Sequence, residues 1–241
     1  MASFTLNLSG QPSVKIPTKL QDKEPTFVLR YWMVAEIISQ LAQGEVRNKN
    51  IIDVGGNGSL LPDMLNNKID ILDLPDNSYE NYIQASALKM PIKDNEYDIA
   101  VTCDVYEHIP EKDREKFVDE LLRVSKEYVV ICGPMYKKES ADAEKRVNQF
   151  FKDLTGRDHP WLEEHIDYTL PKEPLLIKQL KEKGYNHVQF DHGSLAAWEL
   201  ITKLSLIPID RGVADDNETL DAISQLNKLY IKELGLKDFT D

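Results

Sequence analysis

Residues 49–59, Lys-Asn-Ile-Ile-Asp-Val-Gly-Gly-Asn-Gly-Ser, decide how the rest of the chain is read. A short apolar run, Ile51, Ile52 and Val54, carries one acid, Asp53, and then breaks into Gly55, Gly56, Asn57 and Gly58. Ser59 follows as a hydroxyl N-cap before a helical pattern of Leu60, Leu61, Met64 and Leu65. The stretch predicts a buried strand, a tight turn whose backbone can approach a ligand closely, and a helix. Such a unit places backbone N–H groups where a nucleotide-like ligand can sit. An ordinary strand-to-helix turn has the same outline, so the remainder of the chain has to decide.

Working forward, residues 69–74 read as a second strand ending in Asp73, which lies 20 positions beyond Asp53. At that spacing a carboxylate can accept hydrogen bonds from ribose hydroxyls. Residues 82–85 read as a third strand, 97–102 as a short and mostly apolar fourth, and 128–132 as a fifth that stops at Gly133-Pro134. Between the last two, residues 111–125 predict a helix buried through Phe117, Leu121 and Val124, with an Asp119–Arg123 pair on its surface. Strands and helices alternating in this way make a parallel sheet with helices on both faces.

Working backward, Phe27, Tyr31, Val34, Ile38 and Leu41 recur at helical spacing between Pro25 and Gly44. Residues 134–170 interrupt the alternation after the fifth strand and read as a helical lid at the carboxyl edge of the sheet. A helix over 174–180, a sixth strand over 185–191, and two helical patterns (Leu195 to Leu204, Leu220 to Tyr230) complete the chain; no seventh strand is evident.

The chain has 241 residues and a formal net charge of −12. The length suits one domain, 1–241, divided into an N-terminal arm and helix (1–47), a core (48–133), the insertion (134–170) and a C-terminal half (171–241). The negative charge argues against nucleic acid and against anionic membrane surfaces as partners. Cys103 and Cys132 fall in apolar strands and read as reduced thiols. No leader segment and no apolar run of about 18 residues appears, so a cytoplasmic location is expected.

Asp53-x-Gly55-Gly56-Asn57-Gly58, Asp73, the Ser86–Pro91 stretch and Asp104-Val105-Tyr106-Glu107-His108-Ile109-Pro110 stand in order along the chain. Together they resemble class I S-adenosylmethionine-dependent methyltransferases, in particular the broad bacterial type with a Glu-His-Ile signature after strand four. The likeness covers about residues 48–135. His159-Pro160-Trp161-Leu162-Glu163-Glu164-His165 with Tyr168 is more weakly similar to methyltransferases encoded with surface-polysaccharide genes. The resemblance implies a three-layer Rossmann-like α/β fold, S-adenosylmethionine as cofactor and no metal.

Position by position, it places Asp53 and Gly55 at the methionine moiety and Asp73 at the ribose hydroxyls, and it counts Gly56, Asn57 and Leu74 among the cofactor-binding residues. Ser86, Ala87 and Leu88 fall beside adenine, Ser86 standing where an Asp is common; Asp104 falls beside the sulfonium, and Cys103 is counted among the cofactor-binding residues. Asn57 and Ser59 occupy positions where glycines are frequent in the family. His165, His108 and Asp104 are the candidates for catalytic roles, with His159, Glu107 and Glu164 behind them. Alignment for direct displacement carries most of the chemistry, and a hydroxyl or amine acceptor also needs a base.

The acceptor implied is a small molecule or glycan precursor methylated at oxygen or nitrogen, and a homodimer stays open. An NAD-dependent oxidoreductase is the competing enzyme class; Leu61 takes the place of the third glycine in its fingerprint. A methyltransferase-like protein that binds cofactor without turnover is the third reading.

Overall fold

The computed structural model describes residues 13–20, 22–210, 221 and 225. The pattern over Leu220–Tyr230 and the first residues of the N-terminal arm lie largely outside these. The chain forms two compact units. The first contains the described residues up to Cys103 together with Asp119–Cys132 and residues 221 and 225; the second contains Asp104–Val118 and the described residues from Gly133 to Asp210.

In the first unit, α1 spans Pro25–Leu41. Pro25 opens it, and the Glu24 carboxylate accepts hydrogen bonds from the Thr26 and Phe27 amides, satisfying donors that the helix itself leaves without partners. Of the stripe expected from the sequence, Tyr31, Val34 and Ile38 are buried and Phe27 and Leu41 are half-buried against the same core, which Trp32 also joins. The Trp32 indole donates to the Val14 carbonyl at 3.0 Å. Buried Glu36 accepts from Ser13 Oγ at 3.0 Å and from the Val14 amide, which fixes the segment before α1 against the helix.

Five parallel strands follow: β1 Ile51–Val54, β2 Asp70–Asp73, β3 Tyr82–Gln84, β4 Tyr97–Cys103 and β5 Ser125–Cys132. Their order in the sheet is β3-β2-β1-β4-β5. This is the Rossmann-like α/β arrangement, with two crossover directions diverging from β1 and β4. Ile51, Ile99, Val101 and Val130 share one core with the buried face of α1. A short helix, α2 (Leu61–Leu65), joins β1 to β2. Ser59 does not cap it: the N-cap is Leu60, and the Ser59 hydroxyl instead accepts from the Leu61 amide at 3.2 Å.

The helix α3 covers Arg114–Val124 behind a 3-10 turn at Glu111–Asp113. Phe117, Val118, Leu121 and Val124 are fully buried. Arg123 pairs with Glu120 at 2.6 Å and Asp94 at 2.9 Å. It also donates to the carbonyls of Ile92 and Met90, so the loop before β4 outcompetes the helix surface for its fork of donors.

The second unit carries α4 (Lys138–Thr155), α5 (Pro160–Tyr168), α6 (Glu173–Glu182) and α7 (Leu195–Asp210). Val147 and Phe151 of α4, Leu162 of α5 and Leu206 of α7 form its apolar core. Arg146 clamps Glu199 of α7 through both ends of its guanidinium. The sixth strand expected over 185–191 is absent; the segment has no regular structure. Val188 is 71% exposed and Phe190 40% exposed. Alternating apolar residues make a strand only where another strand takes up the backbone hydrogen bonds, and the sheet pairings among the described residues end at β5.

Candidate active site

The turn after β1 is built from three glycines with distinct jobs. Gly55 (φ 80°) and Gly58 (φ 91°) occupy the left-handed region, where a side chain is strained. Gly56 has an ordinary φ but no room: a Cβ there would lie 2.6 Å from Asp53 Cγ and 2.9 Å from Asp53 Cβ. Asp53 itself is completely buried at the end of β1. Asn57 and Ser59 do not have positive φ, which is why this turn tolerates a side chain at both places.

Asp73 meets this turn from the end of β2. Its Oδ2 accepts from the Asn57 amide at 3.1 Å and its Oδ1 from the Leu74 amide at 2.6 Å. The Asn57 side chain is held by Asn77 Nδ2 at 2.5 Å. Each carboxylate oxygen has two acceptor sites, so Asp73 keeps capacity for a vicinal diol while its orientation is already fixed. Leu74, beside it, is 66% exposed, a large apolar surface awaiting cover. Tyr82 on β3 donates to the Pro75 carbonyl, and burial, followed by the carboxylates of Asp73 and Asp76, pushes its pKa up.

After β3, the Ser86 hydroxyl accepts from the Leu88 amide at 3.2 Å and the Ser86 carbonyl from the Lys89 amide at 3.0 Å. This closes a half-buried turn through Ala87 and Leu88. Ser86 therefore acts on its own backbone. Cys103 is buried at the end of β4. A buried carboxylate (Asp53), the Asp73 carboxylate, an exposed leucine and a polar turn thus stand at the carboxyl ends of β1 to β3.

The second unit begins at Asp104, which holds φ 56°, a conformation Asp adopts more readily than most residues. A 3-10 turn, Tyr106–His108, follows. Glu107 is buried, and a Cβ at Gly133 would lie 2.8 Å from its Oε2. Arg114 ties this turn to the end of α5: it donates to the carbonyls of Ile109 (2.9 Å), Glu107 (3.4 Å), Tyr168 (3.2 Å) and Thr169. Its guanidinium also stands 5.9 Å over the Tyr106 ring.

That clamp brings His108 and His165 together, with Nε2 atoms 3.4 Å apart. His108 Nδ1 lies 2.8 Å from Glu164 Oε2, and His165 Nδ1 lies 3.0 Å from Glu144 Oε1. Burial and the neighbouring His165 lower the His108 pKa, against the opposing pull of Glu164 and Asp104. His165 is nearly buried, its side chain 9% exposed against 27% for His108. His159 is placed elsewhere: its amide donates to Asn148 Oδ1 at 2.8 Å, and its ring packs between Phe151 and Trp161. It holds the corner between α4 and α5.

Glu144 and Arg114 were not singled out by sequence. Glu144 was legible in principle, since it shares a helical stripe with Val147 and Phe151, and an acid on a buried face needs a partner. Arg114 had no such signal, because its four acceptors are backbone carbonyls.

Residues 59–132 match the methyltransferase domain family. No curated protein matches the chain. Among solved structures, a protein from Galdieria sulphuraria assigned as a sarcosine dimethylglycine methyltransferase is 20% identical, covering 90% of this chain and 86% of its own, with a TM-score of 0.52. A protein from Bacillus halodurans assigned as a methyltransferase is 18% identical (77% and 87% covered, TM-score 0.46). A SAM-dependent methyltransferase from Aquifex aeolicus is 19% identical (73% and 86% covered, TM-score 0.43). The first of these likenesses supports the fold.

Proposed function

We propose that the chain is an S-adenosylmethionine-dependent methyltransferase, a reading supported by the match of residues 59–132 to the methyltransferase domain family, and that it methylates an oxygen or nitrogen of a small molecule or glycan precursor. When bound, the cofactor supplies an electrophilic methyl group on a sulfonium. In this reading, Asp73 takes the ribose hydroxyls, Asp53 and the Gly55–Asn57 turn receive the methionine end, and Leu74 with Ser86–Leu88 borders the adenine. The observation that carries the assignment is the Asn57 amide bonded to Asp73 Oδ2, which locks the ribose acceptor to the glycine turn.

Displacement at a sulfonium needs little covalent help, so positioning the acceptor supplies most of the rate. A hydroxyl or ammonium acceptor must also lose a proton. The His108–His165 centre is the group of the second unit suited to that, with Asp104 contributing negative charge beside it. The net charge of −12 disfavours a polyanionic acceptor.

Transfer of a labelled methyl group from S-adenosylmethionine to a panel of small hydroxyl and amine acceptors, including nucleotide sugars, tests this reading. Label appearing in one of these supports it. Label found only in protein or nucleic acid would overturn it.

A further inference from the structure

The His108–His165 pair has a proton problem. Each Nδ1 faces a carboxylate oxygen, Glu164 for His108 and Glu144 for His165, so in a neutral ring the proton belongs on Nδ1. Both Nε2 atoms then present lone pairs, and they face one another at 3.4 Å. Two acceptors at that distance repel unless something positive lies between them.

The spacing suits a metal ion. Two imidazole nitrogens bound at 2.0–2.1 Å in a tetrahedral arrangement lie about 3.3–3.4 Å apart. A carboxylate receiving the second ring N–H is also the usual way a ligating histidine is oriented. Here both rings have one. The third donor is Glu107: one of its oxygens and one nitrogen of each histidine all lie within 4.8 Å of one another. Glu107 is 1% exposed, and a cation would offset the cost of keeping that carboxylate from water.

We propose that His108, His165 and Glu107 bind a divalent transition-metal cation of zinc-like preference, with Glu164 and Glu144 orienting the two rings. Two imidazoles and one carboxylate form a donor set that leaves a coordination position open, as in catalytic rather than structural zinc sites. An oxygen- or nitrogen-bearing small molecule can take that position, and binding there lowers the pKa of a coordinated hydroxyl. With the cation bound, the histidines are ligands and no longer bases. All five residues belong to the second unit.

The test uses the tag-free full-length chain, stripped with a chelator and titrated with Zn2+, with Co2+ as a spectroscopic probe. The expected result is one Zn2+ per chain, visible Co2+ bands of a low-coordinate site, and loss of both in His108→Ala and His165→Ala. Glu164→Gln, on a half-exposed side chain, should weaken uptake roughly 10–100-fold without affecting folding. It covers the case in which a histidine variant fails to fold. No stoichiometric uptake by the wild type, or equal uptake by wild type, both histidine variants and Glu164→Gln, would overturn the proposal. Cofactor affinity measured on the same stripped protein separates this outcome from failure of the methyl-transfer reading.

Discussion

The glycine turn after β1 and the histidine centre of the second unit solve the problem of placing chemistry in opposite ways. The turn is local: Asp53 to Gly58 are consecutive, and their backbone conformations make the binding surface. The centre is assembled: His108 and His165 lie 57 positions apart, and Arg114 holds their segments together through backbone carbonyls. Each region nonetheless depends on one glycine pressed against one carboxylate. Gly56 backs onto Asp53, and Gly133 backs onto Glu107.

This parallel can be broken by adding one methyl group at each place. In Gly56→Ala the new Cβ collides with Asp53 Cβ and Cγ, atoms that side-chain rotation alone does not clear. The backbone has to move, and the expected cost is about 1–3 kcal/mol of stability together with weakened cofactor binding. In Gly133→Ala the collision is with Glu107 Oε2, the far end of a flexible side chain. Thermal unfolding should show little change there, while Zn2+ uptake falls. If Gly133→Ala destabilises as much as Gly56→Ala, the two glycines do the same job and the contrast is lost.

Ser59→Ala is a smaller perturbation. It removes the acceptor for the Leu61 amide and should cost about 0.5–1 kcal/mol with cofactor affinity unchanged. A large loss of affinity would show that Ser59 belongs to the site.

The weakest expected effect concerns acid. Burial, followed by nearby Arg157 and His165, lowers the His159 pKa. A folded pKa below the unfolded value means the unfolded chain binds protons first. The folded state therefore loses stability as pH falls below about 6.5 toward the depressed value. His159→Asn should flatten that part of the stability–pH curve as followed by thermal unfolding, and an unchanged slope would remove His159 from the account.

The same contrast explains what the sequence disclosed. The five strands, the apolar stripe of α1 and the Asp53–Gly58 turn follow from adjacent residues, and they stand where periodicity put them. The role of Ser59 did not follow, because α2 begins two residues later and the hydroxyl bonds its own turn. The strand expected over 185–191 is not formed for a nonlocal reason: alternation alone does not make a strand, and the sheet pairings among the described residues end at β5. At the centre, the sequence named His108 and His165 separately. Their facing Nε2 atoms and the two carboxylates behind them exist only once α5 packs against both the Tyr106–His108 turn and α4. Side-chain pairs of that kind leave no periodic signal.

The most direct measurement of the central claim, that the β1 turn and Asp73 together form the nucleoside site, is calorimetric titration of S-adenosylmethionine into wild type and Asp73→Ala. Loss of hydrogen bonds to a charged acceptor is worth about 1.5–3 kcal/mol, so affinity should fall on the order of 10–150-fold while the protein stays folded. Equal affinity in the two proteins would contradict the account.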